Sequence, residues 1–145
     1  MKDPYLLPNS LVLKNKLNIT DRDELNKAES AISKAKLFTA EEVKGGFDYN
    51  HLMALHKHIL GDIYDWAGQS RLIDMQKSEP VLSGMSVKYG HYKQIPNEIE
   101  EVINQLKNAN LRNLDSYEQK AEAFSKGFAK LWQVHPFREG NTRTV

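Results

Sequence analysis

The sequence predicts a mainly α-helical bundle with one small β-hairpin. Over most of the chain, apolar residues recur at intervals of three and four, which is the period of an amphipathic helix. Residues 71–94 break this pattern, because short β-tolerant runs there alternate with turn residues such as Lys77, Ser78 and Gly84. The chain has 145 residues, which is enough for one hydrophobic core and short for two.

The composition is that of an ordinary globular protein and excludes several functional classes. Lys and Arg total 20 against 19 for Asp and Glu, so the net charge of +1 gives no electrostatic reason to expect a nucleic-acid partner. The absence of cysteine excludes disulfides and thiolate metal sites. There is no apolar run of membrane-spanning length. The first ten residues contain no uninterrupted apolar stretch, so a Sec-type signal is not expected. We therefore expect a cytoplasmic protein with no membrane partner.

The first predicted helix spans about residues 21–37. Thr20 and Asp23 predict a capping box at its start. Its apolar face is formed by Leu25, Ala28, Ile32 and Ala35. The second predicted helix spans about residues 48–61 and ends at Gly61. Its apolar face is formed by Leu52, Leu55 and Ile59.

Two further helices are predicted in the second half of the chain. Pro96 suits the first turn of one of them. Its apolar face is formed by Ile99, Val102, Ile103 and Leu106. The other begins near Asp115 and ends about His135, because Pro136 disfavours helical geometry in the preceding residue. It carries Tyr117, Ala121, Phe124, Phe128 and Leu131 on one face. We predict that this most apolar helix is central in the bundle, and we assign Trp132 to the core.

Three histidines in the second helix, His51, His56 and His58, do not form a predicted metal site. Their spacing does not place three rings on one helical face. They are expected at the boundary between core and solvent.

The segment "HPFREGNTRTV", residues 135–145, combines side chains that suit phosphate chemistry. His135 is able to take a proton near neutral pH. The Gly140-Asn141 pair can turn backbone N–H groups toward one point, and Arg143 adds a forked donor that matches phosphate oxygens. Glu139 could hold Mg²⁺, which takes one or two carboxylates together with phosphates and water. Each feature alone more often has a structural role, as a turn, a solvated Arg or a capping His.

The same segment resembles the signature of the Fic (filamentation induced by cAMP) family, H-x-F-x-[D/E]-G-N-G-R-x-x-R. The matching positions are His135, Phe137, Glu139, Gly140, Asn141 and Arg143. Upstream, "LHKHILGDIYDWAGQSR" and the predicted hairpin are similar to the family's W-A-G motif and its target-docking flap. Trp66 and Arg71 are expected to fix the base of that flap. The resemblance implies a Fic-type helical bundle with the flap beside the active-site loop.

The resemblance also implies an activity, which is transfer of AMP from ATP to a Ser, Thr or Tyr hydroxyl of a target protein. By resemblance, His135 deprotonates the hydroxyl, Glu139 holds Mg²⁺, and Arg143 contacts the terminal phosphates. Phe137 is expected to anchor the loop in the core. The implied anion hole consists of Gly140, Asn141 and Thr142.

The flap is the expected docking site of the target protein, which would add to its edge as an extended strand. The residues assigned to docking are Ile73, Asp74, Met75 and Val81. The family's inhibitory string, [S/T]-x-x-x-E-[G/N], does not occur in the sequence. A separate inhibitory, antitoxin-like protein is therefore a further possible partner.

Two departures from the family pattern leave alternatives open. Thr142 stands where the pattern has glycine, and its Cβ could crowd the phosphates or its hydroxyl could donate to them. The chain stops at Val145, one residue before the position of the second arginine. We therefore expect one domain over residues 1–145 that lacks the C-terminal end of the signature helix. The alternatives are transfer of UMP, phosphate or phosphocholine by the same fold, and a catalytically incomplete binding module.

Overall fold

The computed structural model describes residues 2–78 and 83–145, and it confirms a mainly α-helical chain with one small hairpin. The α-helices are α1 Arg22–Leu37, α2 Tyr49–Leu60, α3 Ile95–Asn108, α4 Tyr117–Val134 and α5 Asn141–Thr144. Short 3-10 helices span Ala40–Glu42, Tyr92–Gln94 and Leu111–Asn113. The antiparallel strands are β1 Gln76–Ser78 and β2 Ser86–Lys88, with Lys77 opposite Val87. No helix in the described part of the chain is long and apolar enough to cross a membrane.

The chain divides into two compact units. Unit 1 comprises residues 1–69 and Thr144, and unit 2 comprises residues 70–143 and Val145. The expectation of one domain over residues 1–145 stays a prediction.

In unit 1, α1 and α2 begin at aspartate caps. The Asp21 side chain accepts a hydrogen bond from the Glu24 N–H at 2.8 Å. The predicted capping box at Thr20 is therefore wrong by one residue. Asp48 caps α2 in the same way through the His51 N–H. Asp and Ser side chains are favoured at this position because they satisfy an amide that the helix itself cannot.

The core of unit 1 is apolar, with a few buried polar groups. Its buried members are Val12, Leu25, Ile59, Leu60, Ile63, Tyr64 and Ala67. The buried Glu29 of α1 accepts a hydrogen bond from the Tyr64 hydroxyl. His56 is fully buried, so its predicted boundary position is wrong. Its Nδ1 accepts the Gly68 N–H at 2.8 Å, which is why an imidazole is tolerated there.

In unit 2, α3 packs against α4, and the Leu106 side chain of α3 lies against Gly127 of α4. A Cβ on Gly127 would overlap the end of the Leu106 side chain, so a larger residue there would require Leu106 to move. The buried residues of α3 are Ile95, Ile99, Val102 and Ile103. Three of them belong to the predicted face, whose fourth member, Leu106, is only partly buried. Those of α4 are Gly127, Leu131 and Val134.

The aromatic face predicted for the centre of the bundle is largely exposed. Tyr117 is 82% exposed, Phe124 58% and Phe128 37%, so the predicted burial of the first three turns of α4 is wrong. At about 100° per residue, the buried face around Gly127 and Leu131 is turned about 60° from the centre of these rings. Periodicity shows which residues share a face, but it does not show which face another element covers.

Gly68 is the glycine of unit 1 whose replacement should be costly. Its φ is +82°, and an added Cβ would lie 2.8 Å from Lys57 Cβ. We expect Gly68→Ala to lower the free energy of unfolding by about 1–3 kcal/mol, measured by urea denaturation. At Gly46 an added Cβ has no neighbour closer than 3.4 Å, so Gly46→Ala is the matched control with an expected change within about 1 kcal/mol. Equal losses in the two variants would contradict this account.

Candidate active site

The signature segment forms one wall of a pocket of about 210 Å³. The residues that line it are Lys77, Trp132, His135, Glu139, Gly140, Asn141, Thr142 and Arg143. The structure thus brings together every residue predicted for catalysis, metal binding and phosphate binding. Their roles stay predictions.

His135 ends α4 in the left-handed conformation, with φ +52°. This turn directs the imidazole into the pocket wall, where the residue is 4% exposed. The ring stacks on Tyr89, with centroids 3.7 Å apart and planes 7° from parallel, and meets the Trp132 ring edge to face. Neither Nδ1 nor Nε2 has a hydrogen-bond partner among the described residues. Buried polar atoms without partners are rare, and they are typical of positions where a ligand completes the bonding.

The surroundings of His135 keep its ring neutral. Burial, together with the positive charges of Lys77, Arg71 and Arg138, lowers the pKa of His135 from 6.5 to about 3, and the backbone of Trp132 opposes this only in part. Near neutral pH a ring nitrogen is therefore available to accept a proton.

The loop after His135 is held by Asn141 and Phe137. The Asn141 side chain accepts from the Phe137 N–H and donates to the Phe137 carbonyl, both at 2.8 Å. Phe137 is fully buried, which confirms its predicted place in the core. The Asn141 side chain therefore has a structural role in this clamp. Gly140, with φ +80°, turns the chain into α5, whose first amides have no carbonyl partner within the helix.

Thr142 needs no special backbone geometry. It lies inside α5 and is absent from the positive-φ positions among the described residues, whereas Gly140 is one of them. The glycine of the family pattern is therefore not required here for backbone reasons. Thr142 and Arg143 both line the pocket.

Glu139 presents one carboxylate to the pocket. Its Oε1 accepts the Gly140 N–H at 3.0 Å, and its Oε2 lies 4.0 Å from the Nζ of Lys77. Lys77 belongs to β1, so its prediction as a turn residue is wrong. The hairpin thus supplies a cation that the sequence did not assign to the site. Trp132 also lines the pocket and is only half-buried, so its assignment to the core is wrong.

Three of the predicted docking residues lie immediately before β1, and the fourth, Val81, lies outside the described residues. The Ile73 carbonyl accepts from Arg71, and the Met75 carbonyl accepts from the Tyr89 N–H at 3.2 Å. The Asp74 carboxylate accepts from the Tyr92 N–H and bonds to the His91 ring; these two contacts lower its pKa. The hairpin therefore uses these groups internally, and their role in docking stays a prediction.

A larger cavity, of about 410 Å³, lies between α3, α4 and the end of β2. Tyr89, Gly90, Glu98, Glu101, Gln105 and Lys130 are among its lining residues. It contains no residue of the signature segment. The smaller pocket is the candidate active site because His135, with its unpaired imidazole, Glu139 and the residues at the start of α5 line it together.

A comparison with known protein families identifies the family of this chain. The family model described as Fic/DOC family matches residues 46–145. The chain therefore belongs to the Fic/DOC family.

Its relatives include proteins from several bacteria. The chain is 36% identical over 148 residues to "Protein adenylyltransferase VbhT" of Bartonella schoenbuchensis, covering 99% of this chain and 29% of that protein. It is 36% identical over 150 residues to "Probable protein adenylyltransferase y4lH" of Sinorhizobium fredii, covering 99% of this chain and 71% of that protein. The crystal structure of the N-terminal Fic domain of a Bartonella effector protein from Bartonella sp. AR 15-3 superposes with a TM-score of 0.82 at 26% identity, covering 97% of this chain and 67% of that one.

The low pKa of His135 predicts an acid-sensitive fold. Between about 3 and 6.5 the unfolded chain holds the proton and the folded chain does not, so stability falls as the pH is lowered through this window. We expect the wild type to lose more stability than His135→Asn between about pH 7 and about pH 4, by at most about 1.4 kcal/mol per pH unit. Asn is chosen because it tolerates positive φ. Urea denaturation at several pH values measures the difference, and parallel pH profiles of the two proteins would contradict the prediction.

Proposed function

We propose that this chain is a protein adenylyltransferase that transfers AMP from ATP to a Ser, Thr or Tyr hydroxyl of a target protein. The observation that carries the proposal is that one pocket is lined by an unpaired, neutral His135, by Glu139 and Arg143, and by the first residues of α5. The names of the relatives from Bartonella schoenbuchensis and Sinorhizobium fredii support this reaction.

In the proposed reaction His135 acts as general base. A ring nitrogen takes the proton of the target hydroxyl, whose oxygen forms a bond to the α-phosphorus of ATP. The bond between that phosphorus and the bridging oxygen breaks, and pyrophosphate leaves. Backbone N–H groups of Asn141 and Thr142 and the Arg143 guanidinium would bind the phosphates and stabilise the charge that develops on them. The Gly140 N–H, which donates to Glu139 Oε1, would join them by exchanging that bond.

The residues of the pocket fit Mg²⁺ bound together with a nucleotide. Among the described residues there is no cluster of three His, Asp or Glu side chains that could hold an ion by itself. Glu139 offers one carboxylate, which is enough for Mg²⁺ when phosphates and water complete its shell. When bound, the ion neutralises phosphate charge. Glu139 would hold it, exchanging its contact with Lys77 for the ion.

The target is proposed to dock along the hairpin. Among the described strands, β1 pairs with β2 alone, along one of its edges. An extended segment of the target would pair with the other edge of β1. Because Lys77 of β1 lies 4.0 Å from Glu139, a segment on this edge would be held beside the pocket. Main-chain pairing is tolerant of sequence, so it fits many targets.

Transfer of labelled nucleotide tests the proposal. With Mg²⁺ and a lysate, the chain should transfer label from [α-³²P]ATP to protein and should not transfer label from [γ-³²P]ATP. His135→Asn should lower the rate by on the order of 10²–10⁴, because it removes the general base, while leaving ATP affinity nearly unchanged.

The matched control is His58→Asn. The His58 ring bonds to Thr39 and to the Lys36 carbonyl in unit 1 and does not line the pocket, so the transfer rate should stay at the wild-type level. Label transfer that is unaffected by His135→Asn would refute the proposal. Transfer of the γ label in preference to the α label would instead identify a phosphate-transfer enzyme.

A further inference from the structure

Arg71 carries a buried positive charge surrounded by backbone carbonyls. Its side chain is 0% exposed, and a guanidinium removed from water is stable only where acceptors surround it. Its Nε donates to the His135 carbonyl at 2.7 Å, and its Nη1 donates to the Ile73 carbonyl at 2.6 Å. Its Nη2 donates to the carbonyls of Val134, at 3.1 Å, and of Gly90. One side chain therefore ties the end of α4 to the residues on both sides of the hairpin.

The left-handed turn at His135 depends on these bonds. A residue other than glycine persists at positive φ only where the surrounding structure over-determines it. The backbone N–H of Arg71 also donates to the Pro136 carbonyl at 2.8 Å. Arg71 thus holds the carbonyls of Val134, His135 and Pro136, and this fixes the direction in which the imidazole leaves the chain.

We propose that Arg71 is the positioning residue of the active site, which couples the placement of the hairpin to the orientation of the His135 ring. The position of the hairpin and the direction of the imidazole both depend on the rigid guanidinium of Arg71. A displacement of the residues before β1 or after β2 is therefore transmitted to the imidazole. The Arg71 side chain is fully buried and does not line the pocket. It acts through His135, and this inference rests on the proposed function for its kinetic consequence.

The geometry requires arginine. A guanidinium presents donors in a fixed plane and can serve carbonyls on opposite sides at once, whereas an ammonium is a point charge on a flexible stem. Lysine at this position would keep the charge and lose most of the carbonyl bonds. Arg71→Lys therefore separates positioning from charge, and Arg112→Lys, on the exposed surface of unit 2, is the matched control.

The first readout is independent of activity. Because His135 stacks on Tyr89 at 3.7 Å, its ring protons should have strongly upfield-shifted NMR resonances. Arg71→Lys should move them toward the values of a free histidine, and Arg112→Lys should leave them unchanged. This comparison tests Arg71 even if the wild-type chain transfers no AMP, so failure of the proposed function is recognised separately.

The second readout is kinetic. In Arg71→Lys, kcat should fall by on the order of tenfold to a hundredfold, since small misplacements of a catalytic group are costly. KM for ATP should change by less than about threefold, because the phosphate-binding residues keep their places. Unshifted ring resonances together with an unchanged kcat would overturn the proposal.

A milder variant covers the case in which Arg71→Lys does not fold. Asp74 is half-exposed, lies 3.8 Å from the Arg71 guanidinium and holds one leg of the hairpin through the Tyr92 N–H. Among the described residues, Asp74 contacts Arg71, His91 and Tyr92 and no ring atom of His135. Asp74→Asn should shift the His135 ring resonances in the same direction by a smaller amount. Resonances at their wild-type positions in a folded Asp74→Asn protein would refute the coupling.

Discussion

The turn at His135 is the constraint on which the site depends. There α4 ends, a residue other than glycine takes positive φ, and the imidazole is directed against Tyr89 with both nitrogens unpaired. Such a turn has to be held from outside. The Arg71 side chain donates hydrogen bonds to the carbonyls of Val134 and His135. The clamp between Asn141 and Phe137 fixes the loop that follows the turn. Both supports lie within unit 2, as does the whole pocket.

The electrostatics of the pocket match a polyanion. Burial, and to a smaller extent the cations around His135, lower the pKa of its ring, which leaves a neutral but weak base. In the proposed reaction, a bound phosphate chain would place negative charge among Lys77, Arg143 and the amides of α5. Negative charge beside an imidazole raises its pKa, so a nucleotide in the pocket would also strengthen the base. The same cations would therefore attract the proposed substrate and help to keep the ring unprotonated until it binds.

Much of the fold can be predicted from the periodicity of apolar residues, and the signature segment can be recognised from local sequence. The helices lie close to where their apolar spacing predicts, and the residues from His135 to Arg143 are recognisable because a short run carries the whole set. The sequence did not assign Lys77 to the site, because its place depends on the register of the hairpin against a loop far along the chain. The exposure of Phe124 was missed for a related reason, since spacing alone does not show which face another element covers.

Arg71 shows the same limit more sharply. Its position after the W-A-G motif indicates a role at the base of the hairpin, and its bonds to Ile73 and Gly90 bear this out. Nothing in the local sequence indicates that the same fork reaches the carbonyl of His135, which is distant in the chain. Contacts of this kind are decided by tertiary packing, and a single sequence carries no signal for them.

The central claim is that the candidate active-site pocket, which His135 lines, binds the phosphates of a nucleotide through the amides at the start of α5. Titration of ¹⁵N-labelled chain with Mg²⁺ and a non-hydrolysable ATP analogue tests this most directly. The account predicts that the largest amide shift changes fall on Gly140, Asn141 and Thr142, with the Arg143 side chain affected as well. Changes centred on the larger cavity near Glu98, or none at saturating nucleotide, would contradict it.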